Sequence, residues 1–334
     1  MRSEVAVPEL QGAELRARVA AGFADLVAGG WDPPLPGAGR TWERFAALAE
    51  VAGRDLSLAR LAEGHADAAA VLHEIAGRLP AAGERWGVWA AQPPGTGLRA
   101  RRTERGWVLD GLKAYCSGAS ALTHALVTAA APDGNRLFAV RVEEPGCRPR
   151  AGTWQAIGMA GSDTPDVDFT DVSAEPVGGV DAYLDRPGFQ HGGIGVAACW
   201  WGGAEAVART LYEAVDPEAP EPHAAAHLGE VETQLHAARA VLEQAAREID
   251  EDPRDLRGQA RLRSLRVRAL VAEVCSAVLR HTGRATGAGP LCHDAAHARR
   301  VADLEVYVRQ HHAERNLAEL GALVGRRPVT GGAR

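Results

Sequence analysis

Near the carboxyl end of the chain, Val301, Leu304, Val308 and His311 step by three, four and three residues. That rhythm places an imidazole on the buried stripe of a helix, provided the helix runs that far. A histidine facing an interior is either held by a backbone carbonyl and purely architectural, or is a neutral base able to take a proton near pH 7. Its neighbours His312 and Glu314 fall on another face and read as solvated. Trp200-Trp201 before Gly202-Gly203 reads as helix packing with close backbone approach, and Glu205, one turn on, as a surface residue. The five cysteines (Cys116, Cys147, Cys199, Cys275, Cys292) are scattered, odd in number and without CxxC spacing. That pattern argues against a disulfide framework and against a zinc site, so no metal ligands are predicted and the thiols are expected to be reduced.

Three successive textures must position these residues. The first is helical. Leu10, Leu15, Val19, Phe23 and Leu26 share a face until Gly29-Gly30. After a Pro/Gly-rich loop, Asp32 to Gly39, Thr41 is placed to cap a helix carrying Trp42, Phe45, Leu48 and Val51. A further helix is predicted from about Ala66 to Leu79, ending at Pro80. From Trp86 to Val177 the apolar runs are short, alternating and separated by turn residues, as in Trp107-Val108-Leu109 before Asp110-Gly111, or Leu137 to Val142 before Pro145-Gly146. This predicts short antiparallel strands. After Pro187 the chain is helical again, with a heptad-like run Leu228, Val231, Leu235, Ala238, Leu242, Ala245, Ile249. Further stripes are Val267, Val271, Val274, Val278 and Val301, Leu304, Val308. With a helix around Ala197 to Val215, four amphipathic helices are predicted, and a four-helix bundle buries their stripes. Arg261, Arg263, Arg266 and Arg268 read as a solvated face, and Asp216 to His227 as a loop. The predicted class is α+β, mainly α, with an N-terminal helical domain over 1–82, a β-domain over 83–186 and the four-helix bundle over 187–330.

Local motifs on this frame resemble those of the acyl-CoA dehydrogenases. Gly111-Leu112-Lys113-Ala114-Tyr115-Cys116-Ser117-Gly118-Ala119 resembles the family's G-x-K-x-[WY]-x-[ST]-x-[AG]. Gly158-Met159-Ala160-Gly161-Ser162-Asp163-Thr164-Pro165-Asp166-Val167-Asp168-Phe169-Thr170-Asp171-Val172, closed by Glu175-Pro176, resembles G-x-R/A-G-S-D-T-x-x-V-x-F-x-D-V and is the most specific signal. Gln92-Pro93-Pro94-Gly95-Thr96-Gly97 sits where the family has T-E-P-x-x-G-S-D, with Ala91 in place of the hydroxyl residue and no serine-aspartate pair. Gly283-Arg284-Ala285-Thr286-Gly287-Ala288-Gly289 resembles the family's G-G-x-G turn. The order of helices, β-domain and bundle is also the family's.

The resemblance implies FAD as cofactor and α,β-dehydrogenation of an acyl thioester, on CoA or a carrier protein. It places Tyr115 and Ser117 against the flavin ring. Trp154 becomes a flavin or packing residue, Gln92 a residue facing the pyrimidine ring or substrate, and Gly97 a substrate neighbour. Arg284 and Gly287 fall at the diphosphate end, where Asp216 to Leu228 lacks the family's arginine. His191 falls either in the acyl pocket or at an exposed helix start. Counting eight residues on from Asp303 to the position of the family's catalytic glutamate reaches His311. A flavin-dependent monooxygenase on the same fold, or a non-catalytic subunit of a mixed oligomer, fits that loss of the glutamate as well. A homodimer or homotetramer, or assembly with a related subunit, is expected.

The bulk numbers are compatible with this. A chain of 334 residues with 46% hydrophobic residues can build a large core, and a net charge of −6 opposes nucleic-acid binding. No apolar run reaches the ~20 residues needed to span a bilayer, and Met1 to Glu14 carries no secretory pattern. The expectation is a cytoplasmic protein with no membrane partner.

Overall fold

The computed structural model describes residues 7–326, with side chains from residue 12 onward. The side chain of Leu10 and the outer ends of the 1–82 and 187–330 units lie outside the described residues. Three helices open the chain: α1 (Val7–Ala28), α2 (Thr41–Arg54) and α3 (Leu56–Ala76). Thr41 does not cap α2 by itself. Its amide and hydroxyl both donate to the Asp250 carboxylate, at 3.0 and 2.6 Å, so the first orphan amide of this helix is met from more than two hundred residues away. Helix α3 begins ten residues before the predicted start. Asp55 accepts from the Leu58 amide at 2.9 Å as its N-cap, and Gly77 at φ 63° ends it ahead of Pro80.

The strands follow: β1 (Trp86–Trp89), β2 (Gly97–Thr103), β3 (Gly106–Lys113), β4 (His124–Ala131), β5 (Gly134–Arg141), β6 (Cys147–Pro149) and β7 (Val167–Val177). Their order is β1-β4-β2-β3-β7-β5, and β5 also pairs with β4, so the sheet closes on itself. Most pairings are antiparallel as predicted, but β4 runs parallel to β1 over Trp86–Trp89 and His124–Val127 and to β2 at Arg99 and Ala130. Inside the barrel, Trp89, Leu98, Leu109, Val127, Phe138, Val167 and Phe169 are buried, and Val19 and Phe23 of α1 join them.

A short helix α4 (Ala182–Asp185) leads to α5 (Pro187–Ala214), α6 (Pro222–Glu251) and α7 (Ala260–Thr286). The heptad positions Val231, Leu235, Ala238, Leu242, Ala245 and Ile249 are all buried, and so are Val267, Val271, Val274 and Val278. The fourth bundle helix is shorter than predicted. After α8 (Gly289–His293), α9 (Ala295–Tyr307) stops at Tyr307, tightens into a 3-10 turn over Val308–Gln310, and is followed by α10 (Ala313–Gly325). Trp200 and Trp201 on α5 are buried, and a Cβ on Gly202 would lie 2.2 Å from the Ala49 carbonyl of α2. The two helices therefore touch backbone to backbone. Among the described residues no helix is long and apolar enough to cross a membrane, and no three His, Cys, Asp or Glu are grouped to hold a metal.

Candidate active site

The turn leaving β3 is built by bonds to the second motif. Cys116 N–H donates to the Pro165 carbonyl and Gly118 N–H to the Ser162 and Asp163 carbonyls, each at 2.9 Å. The Asp163 carboxylate accepts from the Ser120 amide at 2.8 Å and its hydroxyl at 2.5 Å. The two sequence motifs are therefore one structural unit. Within it the Ser162, Thr164 and Ser117 hydroxyls form a chain, 2.7 and 3.1 Å apart. Ser117 Oγ accepts from Thr164, so its own proton is left to donate. Tyr115 is held at φ 58°, a left-handed conformation that costs an aromatic residue energy, and the residue is 53% exposed. Beneath the turn Lys113 is buried and donates to the Thr128 carbonyl and hydroxyl at 2.9 and 2.8 Å; desolvation lowers its pKa to about 8.

This unit is locked to the carboxyl-terminal helices by α9. A Cβ on Gly158 would lie 2.0 Å from the Ala302 carbonyl, so only glycine lets the helix approach. One residue on, the Met159 amide donates to the buried Asp303 carboxylate at 2.5 Å. Burial raises the Asp303 pKa to about 6 despite that bond. A Cβ on Gly161 would meet Val19 of α1 and Ser57 of α3 at 2.9 and 3.0 Å. Helices from both ends of the chain thus converge on the same loop.

Tyr307, one turn beyond Asp303, is buried beside Cys199 and the Trp200 ring, with Trp200 and Tyr307 centroids 6.4 Å apart. His311 does not continue the helix. It lies after the 3-10 turn in an extended conformation, half-buried, with Nε2 enclosed and without a hydrogen-bond partner among the described residues. Desolvation, then the nearby Arg268 and His312 charges, lower its pKa, so the ring is neutral at pH 7. Of the four arginines read as a solvated face, Arg261 and Arg266 are exposed, whereas Arg268 is half-buried. Its guanidinium lies 4.7 Å from the Trp200 ring centroid and donates to the carbonyls of Gly193 and Gln310, at 2.5 and 3.2 Å. Arg263 is buried, 2.8 Å from Glu248. Behind them the α3 face carries Arg60, Glu63 and Asp67 into the interior, where Glu63 pairs with Arg60 and desolvation holds its carboxyl above the usual range.

The remaining predicted residues are dispersed. Gln92 lies exposed on the β1–β2 loop with its amide 3.8 Å from where a Gly97 Cβ would stand. Trp154 is half-buried and donates to the Gly158 carbonyl at 3.3 Å, a packing position against the bundle core. His191 is 2% exposed, so it is no solvated helix start; its Nε2 lies 3.1 Å from the Pro253 carbonyl in the α6–α7 connection. Arg284 is exposed in the last turn of α7, and Gly287 ends that helix at φ 65°. Glu205 is half-buried rather than superficial, and burial raises its carboxyl pKa. Sequence reasoning passed over Asp303, Lys113, Glu63 and Arg268 as functional or internal groups. One signal was available for Arg268: Ser264, Arg268, Ala272 and Cys275 step by four, four and three, and the other three of these are buried.

The helical layer, the closed barrel and the bundle in this order constitute the acyl-CoA dehydrogenase fold. No protein-family model matches the chain, and no curated protein matches it. Among solved structures it is similar to butyryl-CoA dehydrogenase from Megasphaera elsdenii, with a TM-score of 0.74 at 17% identity over 98% of this chain and 100% of that one. It is similar to TdsC, a dibenzothiophene monooxygenase from Paenibacillus sp. A11-2, in complex with FMN and indole, at a TM-score of 0.74 and 18% identity over 95% and 98% of the two chains. It is also similar to a nitrososynthase from Micromonospora carbonacea var. africana, at a TM-score of 0.72 and 20% identity over 97% and 98%. At these identities what is shared is the fold.

Proposed function

We propose that the chain is a flavin-dependent oxidoreductase in which His311 moves a proton to or from an oxygen or nitrogen atom, as a monooxygenase requires. The observation that carries this reading is His311 itself: a neutral imidazole whose buried Nε2 has no partner, at the position where the resemblance expects a glutamate. A flavin fits the residues present. The ring of the exposed Tyr115 and the spare Ser117 proton stand ready for a planar heterocycle with a polar edge. Gln92 would face its pyrimidine side or the substrate, Gly97 would neighbour the substrate, and Arg284 and Gly287 would lie at its phosphate end. FAD follows from the family resemblance, whereas TdsC is described with FMN. When bound, the flavin supplies hydride and electron transfer to dioxygen or substrate. The protein's own part is to hold the ring, exclude water and present the His311 proton acceptor. A neutral imidazole with a lowered pKa is a weak base for a carbon acid but well matched to protons on oxygen near neutral pH.

Acyl-thioester dehydrogenation is the second reading. Glu63 supports it as a buried carboxylate with raised pKa facing the same interior. The test is an absorbance titration of purified protein with FAD and with FMN, followed by anaerobic addition of butyryl-CoA. Flavin binding that weakens about tenfold or more in Tyr115→Ala is expected. Bleaching by the thioester would select the dehydrogenase, and dioxygen uptake driven by externally reduced flavin the monooxygenase. Failure to bind either flavin would sink both.

A further inference from the structure

Among the described residues three inward-facing arginines are paired with carboxylates, and two, Arg44 and Arg268, are not. Arg60 pairs with Glu63, Arg186 with Asp67 and Glu74, and Arg263 with Glu248. Arg44 donates to the Pro34 carbonyl, and Asp67 and Glu63 are the opposite charges acting on it. Arg268 has no carboxylate within ion-pair distance among the described residues; the opposite charge acting on it is that of Glu63, which is already paired with Arg60. Among the described residues, the carboxylates acting on the guanidinium groups of Arg44, Arg60, Arg186 and Arg268 are those of Glu63, Asp67 and Glu74.

Arg268 is also fixed in place. Main-chain carbonyls of α5 and of the α9–α10 turn hold two of its nitrogens, and the Trp200 ring lies 4.7 Å away. A guanidinium has five N–H donors, so this anchoring leaves others unused. Enclosed polar atoms without partners surround it: Trp200 Nε1 and His311 Nε2, with the Tyr307 hydroxyl beyond the Trp200 ring. Trp200 is wholly buried and Tyr307 is 1% exposed. A held cation beside an unmatched indole N–H and an imidazole that can take up a proton lacks one thing, an acceptor-rich anion.

We propose that Arg268 anchors an anionic group of the substrate, a carboxylate or similar oxyanion, seated between Trp200 and His311. The word substrate rests on the flavoenzyme reading; the binding rests on this geometry alone. The proposal narrows the substrate class. An aliphatic acyl chain laid against this wall would cover a guanidinium and an indole N–H without satisfying them, whereas an organic acid completes them.

The experiment uses flavin-free protein carrying isotope-labelled histidine, with His311 resonances assigned through His311→Gln. Acetate and sulfate are the anionic probes, and acetamide is the neutral isostere. Acetate is expected to shift the His311 resonances saturably and to raise the His311 pKa, because it offsets the repulsion from Arg268. Acetamide is expected to do neither. Arg268→Gln should weaken the acetate effect roughly tenfold or more and raise the His311 pKa without any ligand. Arg268→Lys should retain part of the response. His311 resonances indifferent to acetate and sulfate, or equally responsive to acetamide, overturn the proposal. So does an undiminished response in Arg268→Gln. If that variant fails to fold, the acetate–acetamide comparison in the unaltered protein decides. Because no flavin is present, this outcome is independent of the absorbance titration that tests the flavoenzyme reading.

Discussion

Asp303 joins two parts of the chain through one bond, and its ionisation gives that bond a measurable signature. Its pKa is raised from 3.8 to about 6 by burial. The native state therefore holds this proton more tightly than the unfolded chain does. The resulting stabilisation is complete below about pH 4 and is lost as pH rises through 6. Asp303→Asn keeps an acceptor for the Met159 amide without the buried charge. It should stabilise the protein by on the order of 2 to 3 kcal/mol at pH 8 and by little at pH 4, as read from urea midpoints at the two values. Asp303→Ala leaves a buried N–H unmet and should cost about 1 to 3 kcal/mol relative to Asp303→Asn. At this scale the sequence was only partly informative. The hydroxyl and aromatic residues of the Tyr115 turn were legible because their spacing is local. The partners of Asp303 and Arg268 were not, since Met159 and Gly193 lie far from them along the chain and meet them only after the helices have packed.

Among the elements, α9 carries the most consequence for the least length. Its end at Tyr307 could not be foreseen from the stripe Val301, Leu304, Val308, His311, because hydrophobic rhythm does not register a 3-10 turn that still buries Val308. The long stripes of α6 and α7 were readable because each repeats over several turns. The true start of α3 was hidden because Arg60 and Glu63 face inward and break the apolar pattern. Helix contacts through bare glycine give a direct test. Gly158→Ala and Gly202→Ala each push a methyl group into a main-chain carbonyl, at 2.0 and 2.2 Å. Each should destabilise the fold by about 2 to 3 kcal/mol in denaturant titrations. Gly158→Ala should in addition weaken flavin binding, because it displaces the loop carrying Ser162 and Thr164, whereas Gly202→Ala, at the α2–α5 contact, should leave that affinity nearer to the unaltered protein's.

For the whole molecule, the interior titrates as a set. His65, His124, His191, His281, His297 and His311 all have pKa values lowered chiefly by burial. Each is less protonated in the native state than in the unfolded chain. Stability should therefore fall as pH drops below about 6.5, the unfolded value. Asp303 works in the opposite direction, so the fall should steepen in Asp303→Asn, a comparison made by melting temperature at pH 7.5 and 5.5. The contact of Gly158 with the Ala302 carbonyl also bears on how a ligand enters. With no side chain interposed, barrel and bundle have no compliant layer along which to slide, and the Asp303 bond pins the same point. The seam is a weld rather than a bearing. Access must come from segments away from it, and the Gln92–Gly97 loop, largely exposed and threaded with Pro93, Pro94 and Gly95, is such a segment. Cross-linking arrest of that loop should slow flavin uptake without lowering the melting temperature.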